Sequence, residues 1–176
     1  MAEEKEQPLT REDVLRLIKE NGGTAKGLDL SGKVFDWGVD LHELDLRGII
    51  LNGVYLSDPC LKGADLEGAN LEMATLWEAN LKGANLMYAQ LKGADLTHAH
   101  LEGANLQGAS LEEANLIGAH LEGAILVGAY LVGADLRTAN LAGAYLGGAS
   151  LDSSTKLEDV NWGDYILDEE RSGPLD

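Results

Sequence analysis

One cysteine, Cys60, is present in the 176 residues, so no internal disulfide can staple the chain, and a reducing compartment is compatible with it. Basic residues are scarce: 13 Lys and Arg stand against 30 Asp and Glu, a net charge of −17, and nucleic acid is not expected as a direct partner because phosphate contacts demand the opposite sign. No apolar run approaches a membrane span, and the sequence does not open on a basic segment followed by an apolar one, so a soluble cytoplasmic protein with no membrane contact is expected. Phosphate loop, nucleophile elbow and metalloprotease motif are all missing. Carboxylate pairs such as Glu112 with Glu113, or Asp65 with Glu67, are common, but a convex rod of the kind argued below offers no pocket to desolvate them. The expectation is no enzyme: no catalytic residue, no cofactor and no metal.

What the chain has instead is a period. In "ADLEGANLEMATLWEANLKGANL", residues 64–86, leucine occupies 66, 71, 76, 81 and 86, with Ala64, Ala69, Ala74, Ala79 and Ala84 two positions before each. The same spacing of leucine runs unbroken from Leu41 to Leu151. An α-helix turns about 100° per residue, so five steps would rotate successive leucines by about 140° net and spiral them around the axis. A continuous strand fails differently, because its faces alternate with period two and an odd repeat sends successive leucines to opposite sides. The chain must therefore turn a corner within every five residues.

Three extended residues put the Ala and the Leu on one side and the residue between them on the other. The other two positions hold the turn, and the second is often glycine, as at Gly63, Gly68 and Gly83, which accepts backbone angles that a Cβ forbids. Such a chain is an all-β solenoid whose interior is a column of leucine and alanine, each layer supported by its neighbours. Spacing alone leaves the number of corners open, since a triangular coil of fifteen residues satisfies the pattern as well as a square one of twenty.

The units "ADLEG", "ANLKG", "ANLQG" and "ADLRT" resemble the A(D/N)LXX repeat of the pentapeptide-repeat family over roughly residues 28–157. The resemblance implies a right-handed quadrilateral β-helix, four repeats to a coil of twenty residues. The leucine run would then make roughly six coils and a rod of about 28 Å at about 4.8 Å per layer. Some members of that family imitate duplex DNA in width and charge and occupy the DNA saddle of gyrase, conferring quinolone resistance. They commonly mix Phe with Leu at the centre and carry loops or a dimerising C-terminal segment, whereas here every centre from 41 to 151 is Leu.

Solenoid ends expose apolar side chains and strand edges and need caps. In residues 1–27, "LTREDVLRLIKENGG" predicts a capping α-helix with Thr10 as N-cap, Asp13 three residues on, an apolar face of Val14, Leu15 and Ile18, and Asn21-Gly22-Gly23 as its stop. The first coil slips phase around Phe35 and Trp37. After Leu151 the pattern stops, and residues 158–176 are expected to be a C-terminal cap, with Val160, Trp162, Tyr165, Ile166 and Leu167 closing the end, followed by a polar tail.

On the outer walls His100 and His120 fall in one column between Asn80 and Asn140, with His98 across a corner. A metal site would need a third ligand, so they are taken as solvated surface histidines. Cys60 is expected to point outward as an unreactive thiol. The acids are dispersed: about 15 acids and 5 bases lie between Asp40 and Asp152 over all four walls. The other surface feature is apolar: Ile125 stacked on Tyr145 with Val127 beside them, Tyr130 and Val132 on the adjoining wall, and Ile117 on the next, at outward positions that polar residues fill elsewhere. The expected function is a non-enzymatic protein-interaction scaffold, an acidic rod binding an unidentified protein partner or a second copy of itself through this wall. The rival expectation is a DNA-mimicking inhibitor or protector of DNA gyrase.

Overall fold

The computed structural model describes residues 7–163, so Tyr165, Ile166, Leu167 and the polar tail lie outside the described residues. The repeat makes its corner in two residues. Leu61 accepts a hydrogen bond from the backbone N–H of Ala64 at 3.0 Å, and Gly63 between them has φ 65°. This is a type II turn, which requires positive φ at its third residue. From Glu43 to Gly148 every residue two places after a central leucine has φ between 52° and 73°.

Between corners, the residue just before each leucine pairs in parallel with its counterpart one coil away: Asp65 with Asn85, Asn85 with Asn105, His100 with His120. Leu66 donates to Asn85 at 2.7 Å and Asn85 donates back to Ala64 at 2.9 Å, so two backbone bonds join each wall to the next layer. Partners are twenty residues apart from Asp40–Cys60 to Tyr130–Ser150. Twenty residues holding four leucine centres make a square coil, which settles the choice between three and four walls. The fold is a right-handed quadrilateral β-helix. Leu66, Leu71, Leu76, Leu81, Leu86 and the alanines at 64, 69, 74, 79 and 84 are wholly buried. Each leucine contributes about 1.5–3 kcal/mol of apolar burial.

Two single-residue insertions interrupt the period. Between Phe35 and Val39 the corner holds Asp36, Trp37 and Gly38, and the pairs across it, Asp29–Ile50 and Val34–Tyr55, are twenty-one apart. This is the phase slip visible in sequence: Phe35 fills a central slot at 5% exposure while Trp37 stands out at 78%. The second insertion lies between Leu151 and Thr155. The pattern therefore does not stop after Leu151. Thr155 takes the slot alanine fills elsewhere and donates its hydroxyl to the Leu131 carbonyl at 3.0 Å, Lys156 pairs with Asp135, and Asn161 with Asn140. Leu157 and Trp162 come next in the central slots, packed against the core. An added residue hid the register because the corner absorbs it without moving the wall.

Helix α1, Arg11–Glu20, covers the first coil. Thr10 accepts from the Asp13 N–H at 3.2 Å and Asp13 accepts from the Thr10 N–H at 3.1 Å, the reciprocal capping box. Val14 is buried, and Leu17 and Ile18 pack on the core, but Leu15 is 43% exposed. The sequence assignment of Leu15 to the apolar face is thus corrected to Leu17, which lies three residues from Val14 where Leu15 lies only one. Leu9 extends the cap by pairing with Phe35 at the open edge of the first coil.

Candidate functional site

The outer surface is built by a rule that explains why Asp or Asn so often precedes leucine. The side-chain oxygen of that residue accepts a hydrogen bond from the backbone N–H two residues on, at the entrance of the corner: Asn70 from Glu72 at 3.0 Å, Asp95 from Thr97 at 3.1 Å, Asn105 from Gln107 at 3.1 Å. This is an Asx turn, and it satisfies an N–H that the ladder leaves free. Periodicity shows only that these residues face outward; their backbone role appears once the corner is built. A hydroxyl can accept the same bond, as Thr24 does from Lys26 at 3.2 Å, but in the later coils the position also holds His100, His120, Ile125, Tyr130 and Tyr145.

Ile125 and Tyr145 pair directly on one wall. Val127 sits on the following corner, Tyr130 on the next wall and Val132 on the corner after it, so these five run contiguously around two walls. Tyr130 is 50% and Tyr145 42% exposed. Ile117, half-buried as Ile125 is, occupies the corner diagonally opposite Val127 and one wall on from Val132.

Several of the basic groups on the walls are paired with acids. Arg47 makes a two-pronged bond to Asp45, 2.8 and 2.5 Å, and Arg137 does the same to Asp135, 2.8 and 2.7 Å. Lys156 adds a third contact to Asp135 at 3.0 Å, and hydrogen bonding from Arg137 first, then from Lys156, holds the Asp135 carboxyl well below the carboxylate range. The expectation of a purely convex rod needs one correction: an open groove of about 470 Å³ lies beside Tyr88, lined by Thr24, Lys26, Asp45, Arg47 and Glu67. It is shallow and already crossed by the Arg47 ion pairs, and it gathers no nucleophile with a base. Cys60 is half-buried, between Asp40 and Asn80 in its ladder.

A square β-helix of Leu and Ala with Asx-closed corners defines the class of solenoid to which this protein belongs. The sequence profile for pentapeptide repeats matches it in 8 copies, over residues 38–72, 64–103, 94–131, 104–143 and 126–155. The chain belongs to the pentapeptide-repeat family. Among solved structures it is similar to trypsin-treated QnrB1, a plasmid-mediated fluoroquinolone resistance protein, with TM-score 0.57 and 22% identity over 82% of this chain and 84% of that one. It is also similar to alr5209, a pentapeptide repeat protein from Nostoc PCC 7120, with TM-score 0.50 and 38% identity over 53% of this chain and 84% of the other. No curated protein matches it. Among the described residues no helix is long and apolar enough to cross a membrane.

Proposed function

We propose that this protein is a non-enzymatic interaction scaffold, a rigid acidic rod that binds a protein partner through its walls, with Ile125, Val127, Tyr130, Val132 and Tyr145 as the contact surface. The observation that carries this reading is the position of those residues. The isoleucine and the tyrosines stand where Asp or Asn would close a corner, and the valines add exposed apolar area beside them. A contiguous apolar patch of this kind on a charged surface marks an interface, and aromatic residues at its centre are the usual anchors. Rigidity follows from the ladder, since each middle coil is bonded on both sides, so the patch is presented without an ordering cost.

The test is Ile125→Asp combined with Val127→Asp and Tyr145→Asp. These side chains face outward, so the solenoid is expected to stay folded by circular dichroism while self-association in sedimentation, or capture of a partner, is lost. Unchanged mass together with unchanged capture would sink the reading.

A second reading is a DNA mimic acting on gyrase. It is supported by the charge of −17 and by a fold shared with QnrB1. Supercoiling by purified gyrase, titrated with this protein at two salt concentrations against an acidic control of similar size, separates the two. Mimicry requires salt-sensitive inhibition that the control lacks.

A further inference from the structure

On one wall the ladder stacks His100 against His120, ring centroids 4.8 Å apart and planes within 8° of parallel. Each histidine meets a glutamate from the corner two residues on: His100 Nδ1 to Glu102 Oε1 at 3.2 Å and His120 Nδ1 to Glu122 Oε1 at 3.5 Å. Donor atoms of His100, Glu102 and His120 all lie within 4.8 Å of one another. A third donor is thus present beside the two histidines, contributed by the first residue of the corner that follows His100.

We propose that His100, His120 and Glu102 form a surface site for a divalent transition metal, Zn²⁺ in the first instance, with a remaining coordination position open to solvent. Two imidazoles and one carboxylate are a donor set that Zn²⁺ accepts in tetrahedral geometry with water as fourth ligand. Ligand atoms in such a site stand about 3.3–3.5 Å apart, given Zn–N and Zn–O bonds of about 2.0–2.2 Å. Closing from the present separations needs only side-chain rotation, because His100, His120 and Glu102 are 40, 43 and 27% exposed.

Two further observations point to a ligand. Glu102 Oε2 and Glu122 Oε2 are shielded from solvent with no hydrogen-bond partner, so each carboxylate, held through its Oε1, keeps one acceptor oxygen free for a cation. The histidines also have no part in closing their corners. In the same column Asn80 and Asn140 accept from the backbone N–H of Lys82 and Ala142, at 3.3 and 3.2 Å, and the histidines give up that bond. The other groups facing the cluster are Lys82, whose Nζ lies 3.0 Å from Glu102 Oε1, and Asn140, which donates to Glu122 at 2.5 Å. Lys82 is the competing cation and must yield to the metal; at 44% exposure it can swing into solvent. His98 folds over Gly118 at the adjoining corner, outside the cluster.

The column itself supplies a clean variant. Replacing both histidines by asparagine, His100→Asn with His120→Asn, restores the residue found in the coils on either side, so the solenoid is expected to remain folded. Calorimetric titration of the full chain with Zn²⁺ should give one ion per chain, at least tenfold weaker binding in the double asparagine variant and in Glu102→Gln combined with Glu122→Gln, and unchanged binding in His98→Asn. Co²⁺ should give the visible bands of a four-coordinate site in the parent chain alone, and Zn²⁺ should raise the melting temperature of the parent but not of the double variant. Absence of one-to-one binding in the parent, or binding that survives the loss of both histidines, would overturn the site. Neither outcome bears on the apolar wall, since the two stand on different residues.

Discussion

The first coils and the middle coils solve the same packing problem with different side chains. From Ala64 to Ala144 the slot two places before each leucine holds alanine, and the interior is a uniform column. Before it, the slot holds Val39, Leu44, Ile49, Val54 and Pro59, with Phe35 in a central position. The backbone square is closed by the same turns in both regions, so the difference lies in what each layer must fill. A middle layer is bounded above and below by identical layers. The first coil is bounded on one side by α1, whose Val14, Leu17 and Ile18 join the core at the open end, and the larger inward residues fall in the coils nearest that end. A regular solenoid therefore has one composition where it repeats and another where it is sealed.

Exchanging the slot residues tests that comparison most severely. Ile49→Ala removes a fully buried side chain from a layer sized for it, and about 3 kcal/mol is expected to be lost. Ala104→Ile forces the same side chain into a column sized for a methyl group, at a cost of about 1–3 kcal/mol. Denaturant midpoints of the two variants decide the matter. If Ala104→Ile is neutral, the middle coils hold spare volume and the distinction between the regions is one of composition only.

How much of this could be read beforehand follows from the same contrast. Leucine at every fifth place was legible because every coil asks the identical question four times, and a slot that is buried in every layer admits one answer. The number of walls was not, because it depends on which residues pair across layers, as Asp65 does with Asn85. The first insertion showed itself as the phase slip around Phe35 and Trp37, but the second did not, because a corner tolerates an extra residue and Thr155 and Leu157 resume the register without any local mark. In α1, Leu15 and Leu17 were indistinguishable by hydrophobicity, and it is the spacing of three from the buried Val14 that selects Leu17. That Ile125 and Tyr145 stack on one wall was legible, since they are twenty apart, whereas the place of Ile117 relative to them shows only once the corners are built. Glu102 escaped notice as a possible ligand because it belongs to a different column from the histidines, at the corner position two residues after His100.

A smaller effect is expected at the corners, where the middle coils are not uniform. Most hold glycine at the left-handed position, but Thr138 takes φ 59° there. A β-branched residue is strained in that region by about 1 kcal/mol or more relative to glycine. Thr138→Gly is therefore expected to stabilise the rod by about 1 kcal/mol, less the added entropy of the unfolded chain. The same glycine introduced at Tyr88, φ 57°, should gain less, because the Tyr88 ring covers Gly108 of the next coil and that contact would be lost. Equal gains at both positions would mean that draped side chains contribute nothing to the stacking.

The smallest effect separates the cap from the rod by pH. Asp13 is hydrogen-bonded by Arg16 first, then by the Thr10 backbone and hydroxyl, and its carboxyl is lowered from 3.8 to about 2. A group whose folded value is depressed contributes stability that is present above the unfolded value and lost as pH falls through the folded one. The capping box should thus weaken between about pH 4 and pH 2, and NMR signals of residues 11–20 should report fraying of α1 there. The interior of the middle coils is leucine and alanine without a titrating group, so their signals should persist further into acid. Asp13→Asn should abolish the step while leaving α1 less protected at neutral pH, because the amide keeps an acceptor but loses the charge that Arg16 and the helix N-terminus both favour. Were the middle coils to titrate together with α1, the cap and the rod would be one cooperative unit, and the contrast between sealed and repeating layers would hold for packing alone.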